Sequence, residues 1–210
     1  QEGYPFSFSN YKKQRIVNIG DVMFDATLYY KEKALKNYHL GKWGLDEKNY
    51  VICTLHRAEN TNNSDRLKSI FTALQAINKE VSIVMPLHPR TRKLIFDNGG
   101  KELIKGLNIL EPVSYLEMQR MEMSAYAILT DSGGIQKEAY FHRVPCLTVR
   151  DETEWVETIE AGWNQLVGSD FKNITDGFKN IKEPNLIDAK PIYGDGQSSS
   201  KIIDTLLKIK

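Results

Sequence analysis

Seven short apolar runs punctuate the chain: Arg15–Ile19, Tyr50–Leu55, Val81–Met85, Leu107–Leu110, Ala125–Leu129, Pro145–Val149 and Gln165–Val167. They are rich in β-branched residues and apolar at consecutive positions, as in strands covered on both faces of a parallel sheet. Helical patterns lie between them. Asp65–Asn78 carries Leu67, Ile70, Phe71, Leu74 and Ile77 at spacings of three and four, which makes one apolar face. Shorter helices are predicted over Thr91–Asp97, Ser114–Met123, Gly134–Phe141, Glu154–Glu160, Phe171–Ile181 and Ser198–Ile209, with Ser114 and Glu117 spaced as a capping box. Strand–helix alternation of this kind predicts an α/β fold, a Rossmann-like doubly wound parallel sheet. A further helical stretch, Asp21–Lys36, is joined to the first firm strand by His39–Gly44, a linker with two glycines. The expected division is a crossover segment and linker over residues 1–44 and one ligand-binding domain over residues 45–210.

Ligands of such sheets bind outside the carboxyl ends of the strands, so the residues just past each strand carry the candidate chemistry. The run Ala127–Thr130 leads into Asp131-Ser132-Gly133-Gly134 and then a helix. Gly133 and Gly134 allow close backbone approach, and the unpaired N–H groups of a helix start favour phosphate. Ser132 adds a hydroxyl donor, and Glu138, one turn on, suits a ribose diol. Asp131 or Ser132 serving only as an N-cap is the plainer reading. Past another strand, His56-Arg57-Ala58-Glu59-Asn60 crowds polar groups together: His56 suits general acid or donor work, and Arg57 suits phosphate. The plainer alternative is a surface turn in which Asn60 or Asn63 caps the next helix. Pro86-Leu87-His88-Pro89-Arg90-Thr91-Arg92 holds a histidine between prolines and two candidate anion contacts. Arg150-Asp151-Glu152-Thr153-Glu154-Trp155 is a charged loop with a tryptophan, and Tyr193-Gly194-Asp195-Gly196 is a glycine-rich turn.

Composition narrows the classes. The 210 residues carry 28 Lys+Arg against 27 Asp+Glu, a formal charge of +1, which argues against a general binder of nucleic acid or anionic membrane. No apolar run approaches the ~18 residues of a membrane span. The four histidines and two cysteines show no metal-ligand spacing, and GxGxxG, GxxxxGK[ST] and GxSxG are absent. No metal or cofactor is expected. Cys53 and Cys146 sit in apolar runs and are expected as free thiols, which suits a cytoplasmic setting. The start, Gln1-Glu2-Gly3-Tyr4-Pro5, lacks both an initiator Met and a signal-peptide pattern, so the chain is expected to begin partway through a longer protein.

Taken in order, His56-Arg57-x-Glu59-Asn60, Pro86-x-His88-Pro89, Glu111-Pro112-x-x-Tyr115, Asp131-Ser132-Gly133-Gly134-Ile135-Gln136-x-Glu138, Arg150-Asp151-x-Thr153-Glu154 and Tyr193-Gly194-Asp195-Gly196 resemble the C-terminal half of the non-hydrolysing UDP-N-acetylglucosamine 2-epimerases. The resemblance runs from about Ile16 to the end. It implies the C-terminal half of a GT-B-like two-domain fold, with 45–210 as the UDP-binding domain. The implied reaction inverts C2 of a UDP-linked 2-acetamido sugar through UDP elimination and re-addition. It further implies His56 as the catalytic residue at the leaving diphosphate. Ser132, Gly133 and Gly134 would lie on the phosphates, Glu138 on the ribose, and Tyr115 and Met118 beside the uracil. Arg57 and His88 match a second, regulatory UDP-sugar contact of some bacterial members. The implied partners are a UDP-sugar and the N-terminal domain, with a homodimer for the longer protein. The carboxylates for C2 proton transfer belong to that N-terminal half, so this chain alone is expected to bind UDP weakly and not to epimerise.

Two departures stand out. The family usually reads Gly-Asn-Thr at Gly20-Asp21-Val22 and Glu-Arg-Pro-Glu at Glu154-Trp155-Val156-Glu157. Both variants resemble the branch acting on UDP-2,3-diacetamido-2,3-dideoxyglucuronate. A GT-B UDP-sugar glycosyltransferase and a non-catalytic UDP-sugar binding module are the alternatives from other classes.

Overall fold

Six parallel strands form one sheet: β1 (Tyr50–Thr54), β2 (Ser82–Pro86), β3 (Asn108–Leu110), β4 (Ala127–Thr130), β5 (Cys146–Thr148) and β6 (Asn164–Leu166), in the order β3-β2-β1-β4-β5-β6. This computed structural model describes residues 16–87, 89–97, 100–182 and 191–208. The helices are α1 (Val22–Asn37), α2 (Ala58–Thr61), α3 (Ser64–Ile77), α4 (Pro89–Asp97), α5 (Gly100–Leu103), α6 (Tyr115–Ser124), α7 (Gly133–His142), α8 (Val156–Glu160), α9 (Phe171–Lys179) and α10 (Ser198–Leu207).

The consecutive apolar residues follow from burial on both sides. Val51, Cys53 and Leu55 face one way, with Ile83, Met85 and Leu129, under Leu67, Ile70, Phe71 and Leu74 of α3 and Ile174 and Phe178 of α9. Tyr50, Ile52, Val84 and Ile128 face the other way, against Met121 of α6, Ala139 of α7 and the linker residues Leu40 and Leu45. Cys53 and Cys146 belong to opposite layers and are free. The capping box at Ser114 and Glu117 is formed, and Asn63 caps α3 by accepting from Asp65 and Arg66.

One predicted strand is absent. Ile16–Ile19 is irregular, with Ile16 71% exposed. A β-branched run becomes a strand only beside another strand that takes its N–H and C=O groups, and among the described residues none lies there. The chain turns at Gly20 into α1 instead. Gly20 and Gly194 pack back to back at φ +91° and +88°; a Cβ on Gly20 would lie 2.9 Å from the Tyr193 carbonyl oxygen. Asp21 donates its N–H to that oxygen at 3.0 Å. Asp25 of α1 accepts the N–H groups of Ser198 and Ser199 at 3.0 and 2.7 Å, capping α10 from outside. The glycine-rich turn therefore docks α1, which then packs across α6 and α7.

Candidate functional site

The strand order reverses between β1 and β4, and the crevice of a doubly wound sheet opens at such a reversal. Two loops leave the sheet there side by side. Thr54 and Thr130 end the strands with their hydroxyls 2.6 Å apart. Beyond them Asp131, with no exposed surface, binds the neighbouring loop. Its carboxylate accepts the N–H of His56 at 3.1 Å, the N–H of Arg57 at 2.9 Å and the Asn60 amide at 3.2 Å. The His56 Nδ1 lies 3.2 Å from the same carboxylate. Asn60 carries the brace onward, donating to the Val149 carbonyl at 2.8 Å and accepting from Arg66 Nε at 3.1 Å. A buried carboxylate is costly unless several donors satisfy it, and here those donors come from the loop it fixes. Asp131 is thus a brace, not a cap.

Helix α7 starts immediately after. Ser132 occupies its N-cap position without a side-chain capping bond, and its own N–H is taken by Thr130 Oγ1 at 2.9 Å. The opening N–H groups of Gly133, Gly134 and Ile135 have no intrahelical acceptor, the usual state of a helix start. A Cβ on Gly133 would meet Trp155 Nε1 at 3.1 Å, Glu154 Oε2 at 3.8 Å and Arg57 Nη2 at 3.9 Å. Arg57 is therefore placed beside the α7 start. Arg150 holds Glu154 with two bonds, 2.8 and 3.2 Å.

Next to the helix start is a cleft of about 410 Å³ lined by Thr54, Leu55, His56, Pro86, Thr91, Met118 and Ile135. Tyr115 opens α6, and its hydroxyl stands near the Glu138 carboxyl of α7. Burial raises the Glu138 carboxyl to about 7, against the Tyr115 hydroxyl and the Lys137 charge. Gln119, fully buried, donates from Nε2 to Glu138 at 2.9 Å and to Glu122 at 3.3 Å. Its oxygen lies 2.8 Å from His142 Nε2. Burial, then the charge of Glu138, pushes Glu122 well above the usual carboxylate range. Burial, then the charge of Lys31, lowers His142 to about 4. With its pKa lowered to about 4, the His142 ring is neutral at pH 7.

Of the residues expected on the diphosphate, His56 lines the cleft together with Met118, while Ser132, Gly133 and Gly134 form the adjoining α7 start, from which Ile135 reaches the cleft. Tyr115 and Glu138, expected on uracil and ribose, stand near each other across α6 and α7. His88 lies outside the described residues. The two sequence departures, far apart along the chain, converge on Lys137: its buried ammonium pairs with Asp21 and stands 4.3 Å above the Trp155 ring. Gln119, Glu122 and His142 escaped the sequence reading; the available signal was the spacing of polar residues along α6, Tyr115, Gln119 and Glu122, at i, i+4 and i+7. Among the described residues no cluster of His, Cys, Asp or Glu is placed to hold a metal ion, and no helix is long and apolar enough to cross a membrane.

Residues 7–207 match the family model described as UDP-N-acetylglucosamine 2-epimerase. A UDP-N-acetylglucosamine 2-epimerase homolog of Methanococcus maripaludis is 44% identical over 198 residues, covering 91% of this chain and 54% of that protein. The UDP-2,3-diacetamido-2,3-dideoxy-D-glucuronate 2-epimerase of Pseudomonas aeruginosa is 41% identical over 199 residues, covering 94% of this chain and 54% of that protein. Among solved structures, the UDP-GlcNAc 2-epimerase of Methanocaldococcus jannaschii, in complex with UDP-GlcNAc and UDP, superposes with a TM-score of 0.82 at 35% identity, covering 95% of this chain and 56% of that one. The chain spans about half the length of the curated relatives it matches.

Proposed function

Since the chain belongs to the UDP-N-acetylglucosamine 2-epimerase family, we propose that it is the UDP-holding half of an enzyme that inverts C2 of a UDP-linked 2-acetamido sugar. One observation carries this reading: the α7 start, whose first N–H groups have no intrahelical acceptor, adjoins His56 at the β1–β4 switch point, with Glu138 one turn further along the same helix. A diphosphate on that helix start gains from its N–H groups and dipole, and Ser132, without a capping bond, is free to donate. Glu138 takes the ribose hydroxyls, with Tyr115 and Met118 against the uracil.

The reaction breaks the C2–H bond and the C1–O bond to the departing UDP, leaving a glycal, and UDP then adds back with the proton delivered to the opposite face. The charge that grows on the leaving diphosphate is where fixed donors contribute most. With Nδ1 turned to Asp131, His56 has Nε2 left for that diphosphate. The carboxylates that move the C2 proton belong to the half this chain does not contain. The chain alone therefore binds UDP weakly and does not epimerise, and the longer protein works as a cytoplasmic homodimer. Arg57 and His88 take part in a second, regulatory UDP-sugar contact.

A second reading, UDP-2,3-diacetamido-2,3-dideoxyglucuronate as substrate, is favoured by the convergence of Asp21 and Trp155 on Lys137. Calorimetric titration tests the binding claim: UDP binds this chain, and Ser132→Ala and Glu138→Gln each weaken it. Turnover of both UDP-sugars by the longer protein separates the substrates; equal or faster turnover of UDP-N-acetylglucosamine sinks the uronate. Exchange of the C2 proton for deuterium by this chain alone contradicts the assignment of proton transfer to the other half.

A further inference from the structure

We propose that Gln119 is a positioning residue that holds the Glu138 carboxylate in the orientation that receives a ribose diol, and that His142 fixes the sense of the Gln119 amide. This rests on the reading that Glu138 takes the ribose hydroxyls.

The geometry is specific. Tyr115, Gln119 and Glu122 fall at i, i+4 and i+7 on α6 and form one stripe. Facing it on α7 are Glu138 and His142, at i and i+4. A buried amide is tolerated when its donors and acceptor are all matched, and Gln119 has no exposed surface. Its nitrogen lies 2.9 Å from Glu138 and 3.3 Å from Glu122, and an ionised Glu138 can only accept, so the amide presents N–H on that side. Reversal would set its oxygen against the Glu138 oxygen. The oxygen consequently faces His142 Nε2 at 2.8 Å, and that nitrogen carries the proton of the neutral ring. The imidazole locks the amide, and the amide locks the glutamate.

The remaining capacity of Glu138 matches a diol. A carboxylate offers about four acceptor sites. Gln119 takes one of them, which leaves enough for two adjacent hydroxyls. A carboxylate free to rotate would have to be ordered by the ligand, and that cost would come out of the binding energy.

The test compares UDP with 2′,3′-dideoxy-UDP, which lacks the diol, by calorimetric titration of the whole chain. Gln119→Met keeps the side-chain volume and removes both donors. It is expected to weaken UDP about tenfold, the scale of a hydrogen bond to a charged group, and to leave dideoxy-UDP unchanged, so that diol selectivity collapses. His142→Phe, which frees the amide from its other end, is expected to lose part of that selectivity, and it carries the test if Gln119→Met does not fold. A merely structural role would weaken both ligands equally, and that result in either variant overturns the proposal. Glu138→Gln separates the two claims. If it abolishes diol selectivity while Gln119→Met and His142→Phe retain it, the positioning role is wrong and the ribose assignment stands. If Glu138→Gln retains selectivity, the ribose assignment itself fails.

Discussion

Asp131 accepts the backbone N–H of His56 with both carboxylate oxygens, each 3.1 Å from the nitrogen. The residue after β4 thereby sets where the residue after β1 can be. Asp131→Asn keeps the shape but turns an amide donor toward three existing donors, His56 N–H, Arg57 N–H and the Asn60 amide. Unfolding in urea is expected to show a loss of roughly 1–3 kcal/mol, the cost of a buried unsatisfied group, and UDP affinity should fall with it. Wild-type stability in Asp131→Asn would remove the bracing role.

Gly133 has helical backbone geometry, so alanine there is resisted by its surroundings alone. The obstacle is the Trp155 indole nitrogen, 3.1 Å from the added methyl. Gly133→Ala is expected to weaken UDP by tenfold or more, because the methyl also occupies the face a phosphate would approach. Adding Trp155→Phe should recover stability and leave UDP binding poor. Recovery of both would place the diphosphate elsewhere.

The buried pair on α7 predicts a pH profile. His142 is lowered from 6.5 to about 4, so its contribution to stability is complete above 6.5 and lost as pH falls toward 4. Glu138 is raised from 4.5 to about 7, so its contribution is complete below 4.5 and lost as pH rises toward 7. Glu122 acts in the same direction as Glu138. Each of the His142 and Glu138 displacements is worth on the order of 3 kcal/mol, and between 4.5 and 6.5 they oppose one another. Removing the imidazole with His142→Phe should leave a protein whose urea midpoint climbs more steeply as pH drops from 6.5 to 4.5 than that of the wild type, in which His142 opposes the glutamates. Parallel profiles would contradict this.

Asp25 tests the docking of α1. Burial pushes its carboxyl up, but the N–H and hydroxyl groups of Ser199 and Ser198 outweigh that and hold it below the usual range. Asp25→Ala uncaps α10 and should cost about 1–2 kcal/mol, as lost caps do. Amide exchange should quicken at the start of α10 and not in β1. Unchanged exchange in α10 would mean that the cap is dispensable.

The sheet was legible because parallel strands are buried on both faces: Tyr50–Thr54 and Ala127–Thr130 read as apolar at every position up to their closing threonines. Ile16–Ile19 carries the same composition and is no strand, since propensity is local and a ladder needs a neighbour. The single turn Ala58–Thr61 is too short to show a period. At the site, glycines, a serine and a histidine announced themselves by following strands. The roles of Asp131 and Gln119 did not, because the groups they hold, the His56 loop and Glu138, lie at least 19 residues away in sequence. A polar residue on a helix also reads as solvent-facing until the helix opposite it is known.

The brace at Asp131 also bears on the thermodynamics of association. Its bonds to His56, Arg57 and Asn60 are internal to the protein and complete before any nucleotide arrives. The loop entropy that an unbraced crevice would surrender on each encounter is surrendered once, during folding. Recognition at the diphosphate end should therefore resemble docking onto a rigid surface, with little temperature-dependent reorganisation on the protein side. A crevice braced in this way holds its shape whether or not a ligand is present.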